Sequence, residues 1–552
     1  MKDTNKILYI LLFVLALAIN FAGINLHFFT DDQGLYASIA KNLIYKKDFL
    51  QLFSYNVDWL DKPHFPFWAI LVSFKLFGVS TWAYRLPALF CFTISLVYTY
   101  LFTRKYYGWE TGVYAVFILM TAQHVLLSNT DIRAEPYLMA FIMGSIYHIA
   151  RLHERLTFVD LLLTALLTAC AIMTKGIFVI TAIYGALIGQ AILTKNIKSL
   201  FKFKWLLLLI LTAVFTLPEF YALYLQFDLH PEKTVFGTQH VSGIRWFLWD
   251  SQFGRFVNNG PISRKSSGSV FFFVHTLLWA FAPWCLLFYY AAFKKIKEIY
   301  QRKNHVEYYT LSGGLLLLIL FSLSRFQLPF YTNAVFPLFA VVTAPFCLDK
   351  VNRFEARYRL IVQWVYIALL PVIIIIANFL LKPVHDVFFG ADCILLGIFI
   401  ILIPMFFKEM YRKTFFFNFA SALFVGFYLN TIFYRAIIPY KGEITAANYI
   451  NQQPFSNVHI YSVKAGNNIF QFYCNKSVDL VPVEQFDNFK PAGVSVFYVD
   501  QRSMNYLLQT HASFRIIKTF VNYPQENILP AFINKNLRHT VLDHVYFITK
   551  PI

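Results

Sequence analysis

Charged side chains are scarce in this sequence of 552 residues: 14% are Asp, Glu, Lys or Arg, and 58% of the residues are apolar. A soluble globular domain has about 25% charged and about 45–50% apolar residues. The composition therefore excludes an ordinary soluble protein. The apolar residues form long blocks, many of them near the roughly 20 residues that span a bilayer, which predicts a polytopic α-helical membrane protein.

Signatures of several soluble or secreted classes are also missing. The six cysteines have neither the spacing of a zinc site nor that of a disulfide framework, since five of them lie in apolar blocks. The N-terminal apolar run, residues 7–29, is too long for the core of a cleaved signal peptide and has no small-residue cleavage site. We expect this run to form the first membrane span.

The net charge of +19 does not indicate a nucleic-acid partner, because most Lys and Arg residues up to residue 413 stand in short clusters between apolar blocks. Thirteen spans are predicted, at residues 7–29, 84–104, 110–128, 135–150, 157–174, 176–194, 203–224, 269–293, 308–323, 328–347, 359–381, 386–407 and 414–435. Each basic cluster follows an even-numbered span, so the positive-inside rule places the clusters and the N-terminus in the cytoplasm.

One apolar stretch, residues 65–79, is not counted as a span. It is close in length to the roughly 10–14 residues of re-entrant or interfacial segments. Counting it would move every later basic cluster to the outer side. We therefore predict an amphipathic helix lying in the plane of the membrane at the outer face.

The last part of the chain changes character. Residues 1–436 are predicted to form the membrane domain, with outer loops at 30–83 and 225–268, and residues 437–552 a soluble extracytoplasmic α/β domain. Strands are predicted near 457–463, 493–500, 514–520 and 544–549. A tail of about 110 residues can fold as a small domain. It contains neither a glycine-rich phosphate loop nor a metal-ligand spacing.

Two adjacent carboxylates, Asp31 and Asp32, follow the first span in FFTDDQGLYASIAKNL, residues 28–43. A structural role accounts for part of this pattern, because Thr30 and Gln33 fit a capping box and acids suit the first turn of a helix. The next residues predict an amphipathic helix on the membrane surface. A cap needs one acid, so the pair leaves room for chemistry.

Further polar side chains gather in predicted outer loops. They are Asp58, Asp61, Lys62 and His64 in DWLDKPHFPFW (58–68), Asp131, Arg133 and Glu135 in SNTDIRAEPYL (128–138), Arg325, Gln327 and Tyr331 in SLSRFQLPFYTN (322–333), and His240, Arg245, Asp250, Arg255, Arg264 and Lys265 in 225–268. Singly, each basic residue reads as an interfacial charge, and 128–138 as a solvated loop with a helix cap. Together they place acids and cations on one side of the membrane, and Lys62 has the chemistry to bind a lipid phosphate.

At these residues the sequence resembles the GT-C glycosyltransferases that use lipid-linked sugars. It is similar to the protein O-mannosyltransferases and, more closely, to the bacterial aminoarabinose (lipid A) transferases. The similarity rests on the acidic pair in DDQGLYASIAKNL, the downstream Asp48, the Lys-Pro in DKPHFPFW, YRLPAL (84–89) and SLSRFQLPFY, with thirteen spans and an outer C-terminal domain. These motifs cover residues 1–340.

The resemblance implies a GT-C fold and an inverting hexosyl- or pentosyltransferase. The donor would be a sugar on polyprenyl phosphate, and the acceptor a hydroxyl or phosphate of lipid A, another glycolipid or a protein, at the outer face of a bacterial inner membrane. The implied catalytic residues are Asp31 as base and Glu135 or Asp131 as second acid. Those implied for the donor phosphate are Lys62, Arg255, Tyr331 and Arg325, supported by Asp32, Asp61, His64, Arg133 and Arg85. A divalent metal ion is the one cofactor that the resemblance leaves open.

The sequence departs from the family pattern at three places. His64-Phe65 stands where Pro-Leu is frequent, Gln327 where a lysine is common, and Ser251-Gln252 where a Glu-His pair is often found. Arg325 is a substitute for the missing lysine. These changes leave the donor sugar and any metal site open.

Other function classes make different predictions. A transporter or lipid flippase places ionisable groups near the bilayer midplane, where this sequence has few, Glu219 being the clearest. A polysaccharide polymerase or ligase differs from the transferase only in its acceptor. A scaffold role does not explain thirteen spans.

Overall fold

The computed structural model describes residues 2–551 apart from 264–267, 384–386, 453–457, 465–466 and 492. Arg264 and Lys265, singled out in the sequence, lie outside the described residues.

The N-terminal half of the chain is helical apart from one short hairpin. Its elements are α1 (Lys2–Phe21), α2 (Asp31–Tyr45), β1 (Phe53–Ser54), β2 (Val57–Asp58), α3 (Phe65–Phe77), α4 (Thr81–Tyr107), α5 (Trp109–Thr121), α6 (Gln123–Ser128), α7 (Glu135–Glu154), α8 (Phe158–Lys175), α9 (Ile180–Leu193), α10 (Phe203–Leu223), α11 (Gly243–Arg245), α12 (Ser251–Val257) and α13 (Phe272–Ala280).

More helices follow, and then a mixed α/β tail. The elements are α14 (Cys285–Tyr300), α15 (Tyr309–Leu323), α16 (Phe336–Leu348), α17 (Arg353–Leu381), α18 (Val387–Phe406), α19 (Met410–Tyr428), α20 (Tyr434–Ile437), α21 (Gly442–Gln452), β3 (His459–Val463), α22 (Asn468–Tyr473), β4 (Val478–Val481), β5 (Ser495–Asp500), α23 (Gln501–Gln509), β6 (Arg515–Asn522), α24 (Pro530–Ile533) and β7 (Asp543–Thr549).

The prediction of a polytopic helical membrane protein is confirmed. Within the described residues, seven helices are long and apolar enough to cross a membrane, and five shorter apolar helices accompany them. Most predicted spans fall on a helix or on consecutive helical segments, and the span at 269–293 is divided between α13 and α14. The first predicted span, 7–29, is too long, because α1 ends at Phe21 and residues 22–29 are not helical. The count of thirteen spans stays a prediction.

The tail forms one five-stranded sheet with the order β4-β3-β5-β7-β6. The three strands β4, β3 and β5 are parallel, whereas β7 pairs antiparallel with β5 and β6. All four predicted strands are present. The sequence analysis missed β4, because Asp479 interrupts its apolar pattern and Pro482 follows directly. The domain boundary near residue 437 stays a prediction.

The predicted capping box at α2 is wrong. Thr30 occupies the N-cap position, but its hydroxyl donates to Asp131 Oδ1 at 2.6 Å instead of accepting an amide of the first turn. The Gln33 side chain accepts from the Phe29 amide at 3.3 Å and donates to the Thr130 carbonyl at 2.7 Å. These groups therefore connect α2 to the loop after α6.

The amphipathic helix predicted at α2 is present, but much of its polar side is buried rather than exposed. Polar residues of this helix, including Ser38 and Lys41, are buried. The reason is that both α3 and α22 of the tail pack against α2. Ser38 donates to the Asn468 carbonyl at 3.0 Å, and the Lys41 ammonium donates to the Phe472 carbonyl at 2.9 Å. Both bonds satisfy polar groups that burial alone would destabilise.

Gly34 permits this close packing of α2 on α22. A Cβ atom there would lie 2.5 Å from the Ile469 amide nitrogen and 2.8 Å from the Asn468 carbonyl carbon. Because these are backbone atoms, a side chain on residue 34 would push the two helices apart.

We expect Gly34→Ala to loosen the tail from α2 at a cost of about 1–3 kcal/mol. Hydrogen exchange measured by mass spectrometry should increase in residues 468–473. The matched control is Gly390→Ala in α18, where a Cβ atom has nothing within 4 Å. Equal protection of residues 468–473 in both variants would contradict this account of Gly34.

Candidate functional site

The two acids that open α2 point to different partners. Asp31 accepts hydrogen bonds from the Asn468 amide at 2.8 Å and from the Asn468 side chain at 2.7 Å. Asp32 forms an ion pair with Arg133 at 2.6 Å. Burial raises the pKa of Asp31 to about 7, although the two bonds from Asn468 lower it.

Arg133 links the start of α2 to the loop before α7. Besides Asp32, its guanidinium approaches Asp131 at 3.4 Å and lies 4.4 Å from the ring centre of Phe330. Asp131 also accepts the Thr30 hydroxyl bond. The acids Asp32 and Asp131 therefore share one cation, which lessens their mutual repulsion.

Arg85 is fully buried and organises the loops that hold these acids. It donates to the carbonyls of Thr130 at 2.9 Å, Ile24 at 3.0 Å and Leu26 at 2.5 Å. Its partners are backbone groups of the segment that precedes Asp31 and of the loop that carries Asp131. The structure thus gives Arg85 a scaffolding position.

A second ionic group forms around Asp61. Its carboxylate pairs with Lys62 at 3.0 Å and with Arg255 of α12. Burial favours the neutral acid, but the charges of Lys62 and Arg255 outweigh it and lower the pKa of Asp61. The loop before α3 and the long loop after α10 are joined here.

His64 is held by the buried Glu219. The carboxylate accepts the His64 amide bond at 3.0 Å and lies 3.0 Å from the imidazole Nδ1. The other ring nitrogen is 2.9 Å from the Leu50 carbonyl. Glu219 thereby fixes the turn that carries Lys62, which gives this buried acid a structural partner.

Lys175, at the end of α8, was missed as a site residue. It forms an ion pair with Glu135, which is buried, while the Lys175 side chain is 10% exposed. Its ammonium lies 4.3 Å from the ring centre of Tyr331. The available signal was a single lysine between two apolar spans on the predicted outer side, where the positive-inside rule expects few basic residues.

A cavity of about 350 Å³ ends at these groups. Its walls are mostly apolar and include Ile177, Phe178, Ile180, Phe253, Phe256, Leu320, Phe321 and Phe326. Lys175, Arg255 and Tyr331 supply its polar end. A narrow cleft shares Lys175 and Arg255 and adds Asp61 and Lys62. We call the cavity and the adjoining cleft together the cationic-end cavity, after Lys175 and Arg255, which line both.

Of the predicted site residues, Asp61, Lys62, Arg255 and Tyr331 line this cavity, and Glu135 pairs with Lys175 of its lining. Burial together with the carboxylates of Asp32, Glu135 and Asp61 raises the pKa of Tyr36 in α2, so these three acids share one neighbourhood. Asp31 instead contacts the tail, through its hydrogen bonds with Asn468.

Several other predicted positions lie elsewhere. Arg325 is exposed and does not line the cavity; its amide donates to the Phe256 carbonyl at 2.9 Å. Gln327, in place of the family lysine, is buried and bonds the backbone of Ser269 at 2.9 and 3.0 Å. Arg245 pairs with Asp250 at 3.4 Å on the surface.

The residues do not form a metal centre. Among the described residues, no group of three or more His, Cys, Asp or Glu side chains is arranged to hold a metal ion. Each acid near the cavity instead has a cation or an amide as partner. The divalent ion that the resemblance leaves open stays a prediction.

Comparisons with known proteins show what this chain is similar to. Residues 61–221 match the family model of dolichyl-phosphate-mannose-protein mannosyltransferases. An uncharacterized protein of Aquifex aeolicus is 24% identical over 61% of this chain and 63% of its own length. The undecaprenyl phosphate-alpha-4-amino-4-deoxy-L-arabinose arabinosyl transferase of Photorhabdus laumondii is 21% identical over 63% of this chain and 60% of its own length. The matched part thus spans about three fifths of these relatives.

Solved structures extend the similarity to nearly the whole chain. ArnT from Cupriavidus metallidurans bound to undecaprenyl phosphate has a TM-score of 0.74 at 16% identity, covering 92% of this chain and 96% of that one. The Archaeoglobus fulgidus oligosaccharyltransferase has a TM-score of 0.50 at 10% identity, covering 93% of this chain and 69% of that one. The chain therefore has the GT-C fold and resembles the bacterial aminoarabinose transferases.

Proposed function

We propose that this chain is an inverting glycosyltransferase that moves a sugar from a polyprenyl phosphate to a hydroxyl or phosphate of an acceptor. The observation that carries the proposal is the cationic-end cavity, whose apolar walls lead to Lys175 and Arg255 with Lys62 beside them. That sequence of surfaces complements a lipid chain followed by a phosphate. The acceptor class is lipid A, another glycolipid or a protein.

The donor side of the reaction follows from charge. When the acceptor attacks the anomeric carbon, the bond to the phosphate oxygen breaks and the lipid phosphate leaves as an anion. Such a leaving group needs positive charge more than a proton. Lys62, Lys175 and Arg255 surround the place where this charge develops, and Glu135 holds Lys175 there.

The acceptor side assigns Asp31 as the general base. Its two oxygens are oriented by Asn468, and a pKa near 7 suits a base that works at neutral pH. One displacement at the anomeric carbon, with the proton taken by Asp31, inverts the configuration. Asp131 positions two neighbours of Asp31, because it accepts a hydrogen bond from the Thr30 hydroxyl and pairs with Arg133.

We also infer the orientation in the membrane. The positive-inside pattern places the N-terminus in the cytoplasm. It places the tail, Asp31 and Asp131 on the outer side of a bacterial inner membrane. Nucleotide sugars are absent there, which is consistent with a lipid-linked donor. No observation favours a transporter, because His64 accounts for the burial of Glu219.

We expect Asp31→Asn to lower kcat by about 10²–10⁴-fold, the usual contribution of a general base. The assay measures sugar transfer by purified protein from an undecaprenyl-phosphate sugar. Asp32→Asn is the matched control, since it removes the neighbouring charge but not the base, and its loss should be smaller. A larger loss in Asp32→Asn would move the base assignment to that residue.

The pH profile tests the same assignment independently. A base acts when deprotonated, so kcat should rise with pH up to about 7 and then level off. Asn468→Ala removes a hydrogen bond that favours the carboxylate, which raises the pKa and shifts the rising limb to higher pH. A limb that stays in place in Asn468→Ala would count against Asp31.

The donor site predicts a different kinetic effect. Lys62→Ala and Lys175→Met should each raise the donor KM by about 10-fold, because a charge-assisted bond to phosphate contributes about 1.5–3 kcal/mol. Lys233→Met is the control: this lysine pairs with Asp58 at 3.0 Å, outside the cavity lining. An unchanged donor KM in both cavity variants would refute the phosphate role. Sugar transfer measured with and without a chelator tests whether the reaction needs a divalent ion.

A further inference from the structure

A second cavity, of about 450 Å³, lies where the tail meets the membrane helices. Its lining comes from the end of α17, the start of α18, the segment around α20, and the tail around β6 and residues 535–538. We call it the junction cavity. It shares no lining residue with the cationic-end cavity.

Among the described residues, basic side chains from three separate segments line the junction cavity, and no acidic side chain does. Lys382, Arg435, Lys535 and Arg538 line it. Within the described residues, Lys382, Arg435 and Lys535 form no ion pair. Four like charges around one space repel each other unless an anion lies between them. On the inferred topology they stand on the outer side, where lysine and arginine are normally depleted.

The walls of this cavity are held by a backbone bond of Lys535 and by the side chain of Arg538, not by the other three basic side chains. The Lys535 amide donates to the Leu380 carbonyl at 3.0 Å, which joins the tail to the end of α17. Arg538 is buried and donates to the Tyr440 hydroxyl at 2.9 Å and to the Phe532 carbonyl at 2.8 Å. The exposed side chains of Lys382, Arg435 and Lys535 are therefore not needed to hold the cavity together.

An apolar surface continues from these charges. The Arg435 guanidinium lies 5.5 Å from the ring centre of Phe388, and Ile432 forms part of the wall. Only 17% of the apolar window of α18 is buried against protein. A ligand bound at the charges can therefore extend hydrocarbon along α18 into the bilayer, as lipids do in basic pockets between membrane helices.

We propose that the junction cavity binds the phosphate headgroup of an anionic phospholipid, with its acyl chains against Phe388 and α18. Bound there, the lipid would bridge α17 and α20 to the tail. The proposal does not depend on glycosyl transfer, because none of the residues assigned to that reaction lines this cavity.

The test measures lipid binding to the purified full chain by native mass spectrometry. The probes are phosphatidylglycerol, phosphatidylcholine with the same acyl chains, inorganic phosphate and undecaprenyl phosphate. The double variant Arg435→Gln/Lys535→Gln should bind phosphatidylglycerol at least about 10-fold more weakly than the wild type. The control Lys490→Gln/Arg502→Gln removes two exposed charges elsewhere on the tail and should bind within about twofold.

Each outcome decides the proposal. If both double variants bind phosphatidylglycerol equally weakly, the effect is one of general charge, and the proposal is overturned. If the wild type binds phosphatidylcholine as tightly as phosphatidylglycerol, the site does not recognise the headgroup charge, and the proposal is again overturned. Full displacement by inorganic phosphate would overturn the part played by the acyl chains. Undecaprenyl phosphate binding that survives in Arg435→Gln/Lys535→Gln supports a separate site. Its loss there, with an unchanged melting temperature, would merge the two sites and overturn the proposal.

Discussion

The packing of α2 between α3 and α22 is the constraint on which the arrangement of acids depends. Gly34 has no side chain, so the tail helix can lie directly on the first turns of α2. A Cβ atom at Gly34 would be only 2.5 Å from the Ile469 amide nitrogen. This contact presents the Asn468 amide and side chain to Asp31. Hydrogen bonds to a charged group contribute about 1.5–3 kcal/mol each, which partly offsets the cost of burying the carboxylate.

The same packing separates the two neighbouring acids. Successive helical residues point about 100° apart, so Asp31 meets the tail while Asp32 meets Arg133. Asp31 therefore has a pKa of about 7, whereas Asp32 is held in an ion pair with Arg133. The tail thereby becomes part of the environment of the proposed base, although it is distant in sequence and carries no catalytic motif of its own.

Sequence reasoning recovered the helices well because long apolar blocks and basic clusters are local signals. Charged residue types in predicted outer loops also placed Asp61, Lys62, Glu135 and Arg255 on one side of the membrane, but their assignment to one site rested on the family resemblance. It failed where tertiary contacts decide. The Thr30 hydroxyl bonds Asp131, about a hundred residues away, rather than capping its own helix. Lys41 looks like a surface lysine, yet carbonyls of the tail bury it.

Lys175 and the junction cavity show a further limit of the same kind. A lone lysine between spans, or a lysine such as Lys382 after a long helix, has no local pattern that distinguishes a headgroup contact from a binding site. Only the fold shows that Lys175 closes one apolar cavity and that Lys382 joins three other basic residues at another. Both cavities place positive charge at the end of an apolar surface, and this shared design follows from one physical requirement. A phosphate on a hydrocarbon chain needs both surfaces at once, because neither the charge nor the chain is stable in the environment of the other.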